Sequence, residues 1–310
     1  MYPRLFTSRL MHIKSPLWLT FYILSGAKKV FSATKNPFKT LCLLSGFLDE
    51  SDITLRYLGK VHFDRSDVKE NLLQTVISAC SKKLNTQATK NLISIINQRN
   101  NKIIKINDIS LESVLPLFIL IEIFVLEDYK FHILEEGDVV VDVGASVADS
   151  SLYLAKEGYE VHAFEPVPEL YKIGQKNLKL NPHLAKRIHY INKAVTANKE
   201  KARIGYDEIR KSHIASIYAK RAKNIEIDSI GVKEIIDLEP QGLKLDCEGC
   251  EYEIMEKLDP SLFEEIIIEY HPQPKNRRPK RIINKLESHE FKIYQRGNYN
   301  IGLIRAWKER

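Results

Sequence analysis

The chain has 310 residues, of which 44% are hydrophobic and 28% are charged, with only 12 Pro and 13 Gly. This composition excludes extensive disorder, and the length is sufficient for a core domain together with an accessory region. The net charge of +7 permits an anionic partner, but solubility alone accounts for it, so nucleic acid is not an expected partner.

Positive charge is concentrated at the start of the chain. Residues 1–50 hold seven Lys or Arg and two acidic residues, with an apolar run from Leu17 to Leu24. Two interpretations stay open: these basic residues contact an anionic membrane surface, or the segment is a helical cap on the main domain. The run is shorter than the ~20 residues that span a bilayer. No small-residue cleavage site follows it, and we expect a cytoplasmic protein.

Residues 1–130 are predicted to form a mainly helical accessory region. Residues 53–58 and 60–63 suggest a short strand pair, and residues 68–84 and 88–96 have the apolar spacing of helices. The stretch Leu115–Leu126 is interrupted only by Glu122, so we interpret it as a buried helix.

From Tyr129 onward, apolar strands alternate with helices, which is typical of a parallel sheet covered on both faces. We therefore predict an α/β fold over residues 131–310: a mostly parallel, seven-stranded, Rossmann-like sheet. The predicted strands are residues 138–143, 160–165, 189–195, 242–246, 265–271, 291–295 and 301–307. The predicted helices are residues 149–157, 168–180, the segment after Asp246 up to Lys257, and 279–288.

A ligand site is expected where the first two strands end, because open α/β sheets bind ligands at the carboxyl ends of their strands. Gly144 follows the first strand and allows a sharp turn close to a ligand. Glu165 ends the second strand, 23 residues after Asp142, where an acid can accept hydrogen bonds from ribose hydroxyls. The pattern indicates a ligand that contains adenosine.

The same turn favours one class of adenosine ligand. A pyrophosphate site needs further glycines, whereas this chain has Ser146 and Asp149. Asp149 begins the following helix, and its charge would repel a pyrophosphate but not a cationic sulfonium. S-adenosylmethionine therefore fits the turn better than NAD.

Five segments of the chain resemble the FkbM-type methyltransferases. They are Val140–Ala155, Ala163–Glu169, Asn192–Val195, Leu243–Ile254 and Ile266–Pro272, and the fourth contains a K-x-D-x-E-G-x-E signature. The resemblance implies a class I methyltransferase fold with S-adenosylmethionine as methyl donor. It also implies O-methylation of a hydroxyl on a glycan, a glycolipid or a secondary metabolite.

The resemblance further implies which residues bind the donor. The methionine end is assigned to Asp142, Gly144, Ala145 and Ser146, the ribose to Glu165 with Pro166, and the adenine border to Asn192, Lys193 and Ala194. The chain departs from the family at Ser146 and Ala148, where Asn and a second Gly are common. Ala148 is tolerated at negative φ, but its backbone would be sterically strained if the turn requires positive φ.

Methylation of an alcohol also needs a group that takes its proton. Asp246 is the first candidate for this base, and His271 and Glu269 are the next. Structural roles compete, since Glu251 can cap the helix after the fourth strand and His271 can stabilise the turn before Pro272. We assign no metal ligand, although a divalent cation held by Asp246, Glu248 and Glu269 stays an alternative.

Two further features lie beside these candidates. Cys247 and Cys250 form one C-x-x-C with no second pair to complete a zinc site, and we interpret them as buried space-fillers rather than a redox pair. A basic cluster follows the fifth strand: Lys275, Arg277, Arg278, Lys280 and Arg281. It is either a solvated helix start or a contact for an anionic acceptor.

The leading hypothesis is an O-methyltransferase that acts on a small-molecule, glycan or lipid-linked acceptor. Methylation of RNA is one alternative, suggested only by positive charge, and no aromatic side chains are interleaved with the basic cluster to stack on bases. A non-catalytic binding protein that retains the fold is the other, motivated by Ser146 and Ala148. The sequence predicts no oligomeric state.

Overall fold

The structure is a computed structural model that describes residues 26–199, 201–206, 223–271, 278–297 and 301–309. Residues 1–25 of the basic N-terminal segment, the whole insertion between Tyr206 and Lys223, and Lys275 and Arg277 lie outside these residues. The described chain divides into two compact units. One contains residues 26–108 and 115–127, and the other contains residues 109–114 and 128–309.

The first unit combines six helices with three strands among its described residues. Its elements are α1 (26–33), α2 (Pro37–Ser45), β1 (Glu50–Leu55), β2 (Gly59–Asp64), α3 (Arg65–Lys69), α4 (Leu72–Cys80), α5 (Thr86–Asn97), β3 (Ile103–Ile106) and α6 (Leu117–Phe124). Strands β1 and β2 form the antiparallel pair expected from the sequence. Helix α6 is largely buried, as predicted. Among the described residues, no helix has the length and apolarity needed to cross a bilayer.

The second unit begins with β4 (Ile109–Glu112), and its remaining elements lie between residues 139 and 307. Its strands are β5 (Val139–Val143), β6 (Glu160–Phe164), β7 (Ile188–Ile191), β8 (Ala194–Thr196), β9 (Ala202–Tyr206), β10 (Lys223–Ile227), β11 (Ser229–Gly231), β12 (Gly242–Leu245), β13 (Glu265–Tyr270), β14 (Lys292–Gly297) and β15 (Gly302–Trp307). Its helices are α7 (Asp149–Lys156), α8 (Pro168–Leu180), α9 (Pro182–Ala185), α10 (Val232–Ile236), α11 (Glu251–Lys257) and α12 (Pro279–Glu287).

Seven of these strands form one sheet in the order β14-β15-β13-β12-β5-β6-β7. Strand β15 is antiparallel to both of its neighbours, and the remaining adjacent pairs are parallel. The chain runs outward from β5 through β6 to β7 and then returns to β12 on the other side of β5. The order of strands therefore reverses at β5, where sheets of this kind bind their ligands.

Apolar side chains hold the central strands in place. Val141 and Val143 of β5, Leu243 of β12, and Ile266 and Ile268 of β13 belong to one buried cluster, each at most 2% exposed. Strands covered on both faces are almost wholly apolar, which explains why their positions could be recognised in the sequence.

The third predicted strand, residues 189–195, is wrong in its second half. Strand β7 ends at Ile191, and β8 leaves the main sheet to form a separate parallel pair with β11. The Asn192 side chain donates hydrogen bonds to the carbonyl oxygens of Glu165 (2.8 Å) and Pro166 (3.1 Å). The chain turns here because Lys193 N–H bonds back to the Ile191 carbonyl, at 3.1 Å.

Candidate active site

The turn after β5 has an unusual backbone that brings it against the end of β12. Gly144, Ser146 and Ala148 have φ of 79°, 47° and 63°. A Cβ on Gly144 would lie 1.8 Å from the carbonyl oxygen of Asp246, so only glycine fits at this position. At Ala148 the turn does require positive φ, which costs an L-residue about 1–2 kcal/mol.

Glu165 lies directly beside this turn. One carboxylate oxygen accepts a hydrogen bond from Ser146 N–H at 2.8 Å, and the other accepts one from Val167 N–H at 2.7 Å. Gly144 N–H bonds to the Phe164 carbonyl at 2.9 Å, which joins the turn to the end of β6. Burial raises the pKa of Glu165 to about 8. The glycine turn and the acid after β6 therefore lie in one place, as the sequence predicted.

The other residues predicted to bind the methyl donor lie in the turn after β5, beside Glu165 and at the entry to β8. Ala145 is buried in the turn, where its N–H shares the Phe164 carbonyl with Gly144. Pro166 and Asn192 lie next to Glu165 through the hydrogen bonds of the Asn192 amide. Lys193 and Ala194 follow at the entry to β8, and Ala194 packs in a small apolar cluster with Ala202 and Ile204.

Asp142 lies beneath the turn and is fully buried. Its Oδ2 accepts hydrogen bonds from the hydroxyl groups of Ser150 (2.7 Å) and Ser151 (2.8 Å). Its Oδ1 lies 3.0 Å from the ammonium group of Lys244. The Asp142 side chain therefore positions the turn and the start of α7 from below.

Sequence reasoning did not assign a role to Lys244 or Tyr129. Lys244 is 1% exposed inside β12, and a single lysine in an apolar central strand is a signal that could have identified it. Its ammonium group also lies over the Tyr129 ring, 4.8 Å from the ring centroid. Nothing in the local sequence marks Tyr129.

The three predicted bases meet at the carboxyl ends of β12 and β13. The Tyr129 hydroxyl lies 2.9 Å from Asp246 Oδ2 and 2.8 Å from Glu269 Oε2. Because it has one proton, it donates a hydrogen bond to one of these carboxylates at a time. Burial and the neighbouring Glu269 raise the pKa of Asp246 to about 6. Burial also raises the pKa of Glu248 to about 8.

His271 lies among these carboxylates and is 5% exposed. Its Nδ1 is 2.9 Å from Glu251 Oε1, and Nε2 is 3.6 Å from Glu248 Oε1. Burial lowers the pKa of His271, but Glu248 and Glu251 outweigh this effect and raise it well above the usual value. The alternative that Glu251 caps α11 is wrong, because Oε1 accepts from the N–H groups of Cys247 (3.2 Å) and Gly249 (3.1 Å), which lie in the turn before the helix.

The interpretation of Cys247 and Cys250 as independent space-fillers is wrong, because the two form a disulfide. The segment between them is a tight turn in which Glu248 and Gly249 have φ of 53° and 126°. This turn brings the two Cα atoms to 5.5 Å, within the range a disulfide spans. Cys250 still fills the core, where it is 5% exposed.

The described part of the basic cluster lies at the start of α12, where Arg278, Lys280 and Arg281 are exposed. Their exposure agrees with a solvated helix start.

The sheet order, the glycine turn after β5 and the acid after β6 define a class I methyltransferase fold. Residues 142–293 match the model of the methyltransferase FkbM domain. This part of the chain is therefore a methyltransferase FkbM domain, and S-adenosylmethionine is its methyl donor.

Solved structures resemble the chain at low identity. An FkbM methyltransferase from Methylobacillus flagellatus KT is 16% identical, with a TM-score of 0.38 over 78% of this chain and 60% of its own. The chain thus spans less than two thirds of that protein. A precorrin-6Y C5,15-methyltransferase from Geobacter metallireducens GS-15 is 15% identical, with a TM-score of 0.34 over 57% of this chain and 82% of its own. No curated protein matches the sequence.

Proposed function

We propose that the protein is an O-methyltransferase that acts on a hydroxyl group of a glycan, a glycolipid or a secondary metabolite. One observation carries this proposal: carboxylates and a histidine lie directly beside the turn expected to hold the methyl donor. The Gly144 backbone and the Asp246 carbonyl are in such close contact that no side chain fits between them. A proton acceptor is therefore available where an acceptor hydroxyl would meet the donor.

The residues around the turn suit the donor. S-adenosylmethionine supplies a methyl group on a positively charged sulfur. A nucleophile can attack the methyl carbon, and the neutral thioether is the leaving group. Asp142, Asp149 and Glu165 are buried here with one cation, Lys244, which favours a cationic ligand over a pyrophosphate. Ser146 N–H occupies one Glu165 oxygen and Val167 N–H the other. Since a carboxylate oxygen accepts more than one hydrogen bond, ribose hydroxyls can still donate to Glu165.

Asp246 is the proposed base. Its Oδ2 is oriented by the Tyr129 hydroxyl, while Oδ1 lies on the side of His271. The acceptor oxygen forms a bond to the methyl carbon as the carbon–sulfur bond breaks, and the hydroxyl proton passes to the Asp246 carboxylate. A carboxyl group with a pKa of about 6 accepts this proton near neutral pH and can release it again. An amine that is already neutral would not need such a group to attack.

The acceptor is proposed to be a small molecule or a lipid-linked glycan rather than RNA. Exposed Arg278, Lys280 and Arg281 are suited to a phosphate on such an acceptor. We also propose a cytoplasmic location, with peripheral contact to an anionic membrane surface through the basic residues of segment 1–50.

The experiment is methyl transfer from radiolabelled S-adenosylmethionine to fractionated glycans, lipids and RNA, using the full-length chain. Label in a hydroxyl-bearing glycan or lipid, lost on Asp246→Asn but retained on Asp237→Asn, supports the proposal. Label in RNA would overturn it in favour of the nucleic-acid alternative. A folded protein with no affinity for S-adenosylmethionine in calorimetry would instead indicate a non-catalytic binding protein.

A further inference from the structure

Four side-chain atoms from two strand ends face one point beside the proposed base. His271 Nε2 lies 3.6 Å from Glu248 Oε1, 3.8 Å from Asp246 Oδ1 and 3.8 Å from Glu269 Oε1. The ligand atoms of Asp246, Glu248 and His271 all lie within 4.8 Å of one another. Asp246 and Glu248 follow β12, whereas Glu269 lies in β13 and His271 follows it, so two adjacent strands of one sheet bring the four residues together.

These separations are too long for hydrogen bonds from Nε2, since a contact of 3.6 Å is outside hydrogen-bond range. They are close to the spacing of atoms that share a metal ion. Nitrogen and oxygen ligands at about 2.0–2.2 Å from an ion lie roughly 3–3.5 Å apart in tetrahedral or octahedral geometry. A movement of a few tenths of an ångström in each side chain would close the group around an ion.

A second set of contacts orients these atoms independently. His271 Nδ1 is held by Glu251 at 2.9 Å, and Glu251 is itself fixed by two backbone N–H groups of the Cys247–Cys250 turn. The Tyr129 hydroxyl engages the outer oxygens of Asp246 and Glu269, which leaves Oδ1 and Oε1 toward His271. Histidines that bind metals usually have their other ring nitrogen held by a carboxylate in this way.

The charges point to the same conclusion. Asp246, Glu248, Glu251 and Glu269 surround one imidazole, and each of these side chains is at most 25% exposed. Lys244 lies 3.8 Å from Asp246 but is closer to Asp142, at 3.0 Å. One imidazole cannot compensate four partly buried carboxylates, and a divalent ion that takes the place of its Nε2 proton would supply two positive charges where they converge.

We propose that Asp246, Glu248, Glu269 and His271 bind one divalent transition-metal ion, for which Mn²⁺ is the probe. One imidazole nitrogen with carboxylate oxygens is a ligand set for such an ion rather than for Mg²⁺ or Ca²⁺, which favour oxygen alone. The side chains of Asp246 and Glu248 are about one quarter exposed, so the ion would keep an open side for water or an acceptor hydroxyl. Metal binding by these residues does not depend on the proposed function. A catalytic role of the ion, in activating the acceptor hydroxyl, rests on the proposed O-methyl transfer.

The test is Mn²⁺ binding to the full-length chain after removal of metals with a chelator. Titration followed by the electron paramagnetic resonance of free Mn²⁺ should give one saturable site per chain. His271→Ala and Glu248→Gln should each weaken it at least tenfold. The matched control is His62→Ala, because His62 lies 3.1 Å from Asp52 and 3.6 Å from Glu50 in an exposed cluster of the same chemistry. The control should leave the affinity unchanged.

A second measurement uses the unmodified protein, so that its result does not depend on whether the variants fold. Electron spin echo modulation of the bound Mn²⁺ should show coupling to one histidine nitrogen. Absence of a saturable site, absence of that coupling, or full binding by a folded His271→Ala would overturn the metal site. Methyl transfer that fails although Mn²⁺ binds would contradict the proposed function alone. Transfer to a hydroxyl that is unaffected by chelators would overturn the catalytic role of the ion.

Discussion

The ammonium group of Lys244 lies 2.9 Å from the carbonyl oxygen of Gly144, directly beneath the turn that follows β5. The same ammonium is 3.0 Å from the carboxylate of Asp142. A lysine in a central strand therefore holds the turn that is proposed to carry the methyl donor. It also compensates the one carboxylate buried within β5.

Lys244→Met tests this support. We expect a loss of about 3–5 kcal/mol in the free energy of unfolding, because the substitution leaves the buried Asp142 charge without its partner. Urea unfolding measures the change, and calorimetry should show that donor binding is lost with it. The control is Lys201→Met, which breaks an exposed ion pair with Glu226 and should leave the unfolding midpoint unchanged. Equal midpoints for the two variants would contradict the supporting role.

Gly144→Ala should abolish tight donor binding, because the added Cβ overlaps the Asp246 carbonyl and the turn must move. Gly137→Ala is the matched control. Gly137 also has positive φ, at 94°, but nothing lies within 4 Å of its added Cβ. Calorimetry with S-adenosylmethionine should show at least a tenfold loss of affinity for the first variant and none for the second. Comparable affinities would show that the donor binds elsewhere.

Glu165→Ala should weaken donor binding by about 1–3 kcal/mol, because ribose hydroxyls lose a hydrogen-bond acceptor. Glu157→Ala, an exposed acid of the same unit, is the control. Unchanged affinity in the Glu165 variant would remove Glu165 from the donor site.

Stability of the ligand-free protein should depend on pH through Glu165. Its folded pKa of about 8 lies above the ordinary value of 4.5, so the neutral form is favoured in the fold. The stabilisation is complete below pH 4.5 and is lost as the pH rises through 8. Glu165→Gln cannot ionise, so its stability relative to the parent protein should increase between pH 5 and pH 8.5 in urea unfolding. A constant difference over that range would contradict the raised pKa.

Asp246→Asn should depress the rate of methyl transfer far more than donor affinity, because it removes a proton acceptor and not a contact to the donor. Single-turnover transfer measures the rate, and calorimetry measures the affinity. An equal loss of both would place Asp246 in the donor site instead.

Reduction of the Cys247–Cys250 disulfide should destabilise the protein. A cross-link that closes so short a loop contributes about 2 kcal/mol in the chain-entropy model. Thermal unfolding with and without a phosphine reductant measures the shift. A variant with alanine at both positions retains the free Cys42 and Cys80 and should not respond to the reductant. A response of that variant would assign the effect to another thiol.

The sequence alone determined the order of the seven strands of the main sheet and the helices α7, α8, α11 and α12, since each depends on a local pattern. It did not predict α9, α10 or the strands β8 to β11, which lie outside the main sheet. Apolar runs identified β5, β12 and β13, and helix α8 begins and ends at the predicted residues, Pro168 and Leu180. Gly144 and Glu165 were found for the same reason, because each directly follows a strand. The predicted third strand extended beyond the end of β7, where Lys193 N–H bonds back to the Ile191 carbonyl and the Asn192 side chain donates a hydrogen bond to the Glu165 carbonyl.

Only the tertiary structure decided how the side chains at the sheet edge are partnered. Tyr129 contacts Asp246 across 117 residues of sequence, and Lys244 reaches Gly144 across 100. His271 meets Asp246 and Glu248, which follow a different strand. No local pattern records such pairings, because parallel strands that adjoin in the sheet are separated along the chain by whole helices. The direction in which each buried polar group points is set only when the sheet has formed and each must find a partner.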